Sequence, residues 1–139
     1  MINATEIGAV SRPSPLATAV RLSARRPDGV TATFLVDADE PVLAGHFPGF
    51  PIFPGVCLVE CAHQTALLAL PPGATLAAIE SVRFRSPVLP GDEVTVSLTV
   101  AGWTCTATLT VRRGDDGSDE EAALVRLRYR EEGSVDGHR

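Results

Sequence analysis

No lysine occurs among the 139 residues: all 12 basic side chains are arginine, set against 17 Asp and Glu for a net charge of −5. A chain with that balance has no broad cationic surface for a phosphate backbone, which excludes duplex nucleic acid as a main partner. A local group of arginines still suits carboxylates or phosphates on an acidic protein. The sequence also lacks any apolar run near the roughly 18 to 20 residues that cross a bilayer. Its N-terminus, MINATEIGAVSRPSP, does not follow the charged-then-apolar plan of a signal peptide. The expectation is a cytoplasmic protein without a membrane partner. Cysteine is scarce and odd in number, at 57, 61 and 105 without metal-finger spacing. Such thiols fit a reducing compartment as small hydrophobes, with no disulfides.

What is present is core material. Apolar residues make up 45% of the chain and charged ones 21%, enough for one packed domain and too short for two. We read residues 1–139 as a single domain, with 131–139 as a frayed tail. Period-two alternation marks strands at 94–100 (VTVSLTV), 103–111 (WTCTATLTV) and 123–130, and more faintly in ESVRFRS, where Val82 and Phe84 oppose Arg83 and Arg85. Val20 and Leu22 precede a turn at RRPDG (25–29) and a strand at 30–36, which predicts a hairpin. Short connections at LPGD (89–92), Ala101-Gly102 and the acidic 112–121 stretch imply antiparallel neighbours. Only 54–70, PGVCLVECAHQTALLAL, has helical length, opening on a proline suited to a first turn and halted by Pro71-Pro72-Gly73. Apolar side chains nearly encircle it, so a buried helix is predicted. The fold class is α+β: an antiparallel sheet wrapped around one long central helix.

The chemistry-bearing residues gather in GHFPGFPIFPGVCLVECAHQ, from Gly45 to Gln64. Glu60 stands about 9 Å along the helix from Pro54, flanked by Val59 and Cys61. Desolvation there favours the protonated carboxyl, which is what a general acid requires. His46 lies in a loop stiffened by Pro48, Pro51 and Pro54, where an imidazole can be held ready to take a proton. Gly55 opens the helix with an amide free of an intrahelical acceptor, a donor able to polarise a carbonyl. Each has a plainer reading alone: Glu60 reaching a backbone donor or an arginine, His46 stabilising a turn. Base, acid and oxyanion donor in one segment instead suit removal of a proton alpha to a carbonyl with loss of a beta-hydroxyl as water.

This segment resembles the signature of the FabZ type of 3-hydroxyacyl-(acyl carrier protein) dehydratase, a hotdog-fold family. His46-Phe47-Pro48-Gly49-Phe50-Pro51, Pro54-Gly55-Val56, Glu60 and Gln64 match its motif, and IESVRFRSPVLPGDEV (79–94) resembles its next strand and Pro-Gly-Asp turn. The resemblance implies His46 as base, Glu60 as acid, Gly55 as the carbonyl-polarising amide and Gln64 as orienter of the carboxyl. It also implies dehydration of a (3R)-hydroxyacyl thioester to the trans-2-enoyl thioester in fatty acid, polyketide or polyene biosynthesis. No cofactor is implied beyond the phosphopantetheine of the acyl carrier protein that carries the substrate. The expected assembly is a homo-oligomer, a dimer whose partners share each site. Arg83 and Arg85, or Arg25 and Arg26, are the candidate docking patch for that carrier, with ordinary solvated arginines as the alternative. The FabA type, which also isomerises the double bond, carries Asp where this chain has Glu60, so simple dehydration is expected.

The sequence departs from the family in two places. SRPSPLATAV (11–20) replaces its bulkier opening segment, from which we expect a specialised acyl chain, and His63 replaces a small residue. No metal site is expected. Cys57, Cys61 and Gln64 share a helical face but lack further ligands, and Asp115, Asp116 and Asp119 read as a solvated turn. Two rivals remain: a catalytically silent hotdog partner subunit, and a hydratase or thioesterase acting on coenzyme A esters.

Overall fold

The structure is a computed structural model that describes residues 19–37, 53–112 and 118–132. His46 and the rest of the 45–52 motif lie outside these residues, as do Asp115, Asp116 and most of the tail.

Strand β1 (Arg21–Arg26) turns through Pro27-Asp28 into β2 (Gly29–Leu35). Helix α1 (Gly55–Ala69) follows, then β3 (Thr75–Phe84), β4 (Glu93–Ala101), β5 (Thr104–Arg112) and β6 (Asp119–Arg130). All neighbouring strands pair antiparallel in one sheet of order β1-β2-β4-β5-β6-β3. The chain leaves β2, passes through the helix, and lays β3 on the opposite edge beside β6. The helix lies against β2, β4, β5 and β6, so the sheet wraps it as expected of a hotdog architecture.

Alternation explains why these residues become strands. On β4 and β5, Val94, Val96, Leu98, Cys105, Ala107, Leu109 and Val111 are fully buried, while threonine and serine occupy the outward positions. Registers stack the inward side chains into rows such as Ala32, Val96, Leu109 and Ala123 across four strands. Alanine at both ends of that row keeps the sheet surface low. The helix answers with its own small residues, since Cys57, Cys61, Ala62, Thr65 and Ala66 form most of its buried face. Small side chains on both surfaces let the two pack closely without voids. The buried Thr65 hydroxyl donates to the Cys61 carbonyl at 2.8 Å and so costs little. Burial pushes the Cys105 thiol up to about 11, so it stays protonated at neutral pH and serves packing.

Three expectations need correction. The helix is not buried all round, because Val56 (62% exposed), Leu67 and Leu68 face away from the chain's own sheet. Composition records that a side chain is apolar but not whether the chain's own sheet covers it. Phe84 does not join the core with Val82 but stays 54% exposed. Trp103, expected as the first residue of the 103–111 strand, sits instead in the β4–β5 turn and is exposed. Strand β3 explains the second case: it is an edge of the sheet, and Phe84 is its last residue. Its register shifts, between Leu76 and Ala78 and between Ile79 and Ser81, lie before Val82 and break the alternation only in the first part of the strand.

The hairpin at the far edge is fastened by Arg26. Its guanidinium donates to the Thr31 hydroxyl, to Val30 O at 3.3 Å and to Leu98 O at 2.9 Å, joining β1, β2 and β4. Arg25 donates to Leu68 O near the end of the helix at 3.3 Å, where a cation also meets the negative end of the dipole.

Candidate active site

The helix begins abruptly. Pro54 takes the N-cap position in extended geometry (φ −64°, ψ 147°) without any side-chain cap, so the first amides receive no acceptor from a capping side chain. Gly55, the first helical residue, borders a pocket of about 360 Å³ that Leu58, Phe84, Arg85 and Ser86 also line. The Phe84 ring lies directly over it: a Cβ at position 55 would stand 2.7 to 3.0 Å from three ring carbons. A side chain at 55 would therefore meet this ring, which is exposed and free to swing aside. Phe84 is the residue that sequence reasoning misplaced, and its exposure is what gives the pocket an aromatic wall.

Gly55→Ala is expected to push that exposed ring across the pocket at little cost to stability. We predict a fall in kcat/KM of roughly tenfold, about 1.4 kcal/mol, partly restored in Gly55→Ala/Phe84→Ala. Steady-state kinetics of the single and double variants check this.

Five residues beyond Gly55, about 7.5 Å along the axis, Glu60 occupies the helix face that carries Val56, His63 and Leu67. It is half-buried, held on the face turned from the chain's own core. Gln64, one turn on, donates from Nε2 to Glu60 Oε2 at 2.9 Å. The same amide accepts at Oε1 from the Val20 main-chain N–H, also at 2.9 Å. Sequence offered no sign of this last bond, because a main-chain donor leaves no residue-type signature.

His63 hydrogen-bonds through Nδ1 to the Tyr129 hydroxyl at 2.6 Å, their rings parallel within 3°. His63, which stands where the family has a small residue, thus meets a buried phenol of β6, and a buried phenol needs such a partner. Of the four arginines proposed for docking, Arg25 and Arg26 have the internal contacts described above. Arg85 pairs with Glu121 at 3.0 Å with both side chains well exposed, and Arg83 is exposed on β3. Among the described residues no group of three or more His, Cys, Asp or Glu is placed to hold a metal ion.

Comparison with known proteins places this geometry in context. The chain is 39% identical over 88 residues to a 3-hydroxyacyl-(acyl-carrier-protein) dehydratase FabZ of Solibacter usitatus, covering 58% of this chain and 54% of that protein. It thus spans about half the length of the curated relatives it matches. The dehydratase heterocomplex ApeI:P from Xenorhabdus doucetiae superposes with a TM-score of 0.66 at 19% identity, over 85% of this chain and 98% of that one. The dehydratase domain from the CurK module of curacin polyketide synthase gives 0.64 at 12% identity, over 89% and 46%. At those identities the two structures show the shared hotdog fold alone. The family model described as ApeI dehydratase reaches further than the fold, matching residues 23–121 with Gly55, Glu60 and Gln64 inside the match, and on that ground the chain belongs to the ApeI-like dehydratase family.

Proposed function

We propose that the protein removes water from a 3-hydroxyacyl thioester carried on the phosphopantetheine arm of an acyl carrier protein, in fatty acid or polyketide biosynthesis. The observation that carries this reading is the helix itself: an amide at Gly55, with no cap from the Pro54 side chain, beside a pocket, and a carboxyl at Glu60 held by Gln64 on the same helix. His46 takes the proton alpha to the thioester carbonyl, whose oxygen accepts from the Gly55 amide. The electron pair moves into the C2–C3 bond, the C3–O bond breaks, and Glu60 gives its proton to the departing hydroxyl. The reaction needs no further cofactor and is placed in the cytoplasm. The test is direct: a conjugated enoyl thioester should appear without release of free thiol, whereas thiol release would identify a thioesterase.

A second copy of the chain completes the site in this reading. Val56, Leu67, Ile79 and Phe84 are exposed apolar side chains on α1 and β3, and β3 is an edge of the sheet formed by the described strands. In such a dimer the His46 of one chain serves the Glu60 of the other. The replacement of the family's bulky opening segment by 11–20 supports a specialised acyl chain, and a turnover panel favouring plain saturated chains counts against it.

For carrier docking, Arg83 and Arg85 are the better pair, since Arg85 also stands at the pocket that Gly55 lines. Arg83→Glu/Arg85→Glu is expected to raise KM for carrier-tethered substrate roughly tenfold. KM for the same acyl group on free pantetheine should be unchanged, and added salt should shrink the difference.

A further inference from the structure

The Gln64 amide is held at both ends, and the two ends are not interchangeable. The Val20 main-chain N–H is only a donor, so the atom facing it at 2.9 Å must be the amide oxygen. That leaves Nε2, itself only a donor, directed at Glu60 Oε2 at 2.9 Å. Oε2 must therefore accept. For Glu60 to act as a general acid, its better acceptor is the carbonyl oxygen, which gives that role to Oε2 and leaves Oε1 to carry the hydrogen.

We propose that the Val20 main-chain N–H, acting through Gln64, fixes which oxygen of Glu60 holds the transferable proton, so that the entry to β1 is a positioning element of the site. This rests on the reading of Glu60 as the general acid. Without the Val20 bond the amide can rotate by half a turn, presenting its oxygen to Oε2 and drawing the acid hydrogen there, away from the leaving hydroxyl. Gln64 is a positioning residue, and Val20 contributes to the relay through its backbone while its side chain packs against the core.

A double-mutant cycle on the full-length protein tests the relay. Val20→Pro removes the N–H, and Gln64→Leu removes the amide. Each should lower kcat roughly tenfold with KM held within about twofold, and the double variant should be no slower than Gln64→Leu alone. Multiplying losses, or a folded Val20→Pro with wild-type kcat, would overturn the relay. Should Val20→Pro not fold, Gln64→Glu serves instead. Its carboxylate still accepts from Val20 but offers Oε2 an acceptor, so kcat should fall well below that of Gln64→Leu. Equal values for the two would equally overturn the relay. A fully active Glu60→Gln would instead remove the general-acid reading beneath it, while an essential Glu60 with indifferent Gln64 variants would remove the relay alone.

Discussion

Glu60→Gln is expected to lower kcat by roughly 10² to 10⁴-fold while leaving the melting temperature within a few degrees of wild type. The substitution keeps shape and hydrogen-bonding reach but removes the only proton that the reading assigns to the departing hydroxyl. Stability should hold because Glu60 is half-buried on the helix face turned from the chain's own sheet, so no core contact of this chain is lost. Binding should hold too, since an amide can still occupy the place beside Gln64. The contrast between a silent reaction and an intact fold separates chemistry from structure. Steady-state kinetics with a thermal melt on the same sample check both, and a strongly lowered melting temperature would mean that the carboxylate is structural.

Gly29→Ala should do the reverse and strike the fold. An ideal Cβ there would lie 1.8 Å from the Leu98 carbonyl oxygen and 3.1 Å from the Thr99 Cα. Both are main-chain atoms of β4, which pairs with β2 across this position, so no side chain can swing aside. The same Leu98 oxygen accepts from Arg26 at 2.9 Å, and displacing it would also disturb the fastening of the hairpin. Overpacking against backbone costs about 1 to 3 kcal/mol or more, roughly 3 to 9 °C in melting temperature for a domain of this size. Chemical denaturation of wild type and variant checks the figure. A loss under about 0.5 kcal/mol, ordinary for a surface change, would show that the strands separate there at no cost.

Much of the architecture could be read from alternation alone. VTVSLTV and WTCTATLTV display their inward residues at every second position, and β4, β5 and β6 bury Val96, Leu109 and Val125 accordingly. The helix could be placed to within a residue at each end, because Pro54 and Pro71-Pro72 bound it chemically. Strand β3 was legible only in its second half. Its register shifts spoil the period-two signal, and as an edge strand it leaves Ile79 and Phe84 exposed in a single chain.

The site divides in the same way. Spacing put Gln64 one turn beyond Glu60, and the two side chains do meet. Composition made α1 look buried on every side, whereas the stripe through Val56 and Leu67 lies open. Hydrophobicity records that a side chain will leave water but not which chain covers it. The Val20 bond to Gln64 and the Phe84 ring over Gly55 could not be read at all. Each depends on tertiary placement across more than 25 residues, with no local pattern to mark it. His46 falls outside the described residues, and its role rests on the motif that carries it.

In the function proposed above, this helix and its motif eliminate water from a carrier-bound 3-hydroxyacyl group. Intact mass spectrometry of that carrier, incubated with wild type, His46→Ala and Glu60→Gln, tests it most directly. Wild type should remove one water's mass from the acyl carrier, and neither variant should remove any. An unchanged mass with folded wild type across several chain lengths, or water loss that survives both substitutions, would contradict it.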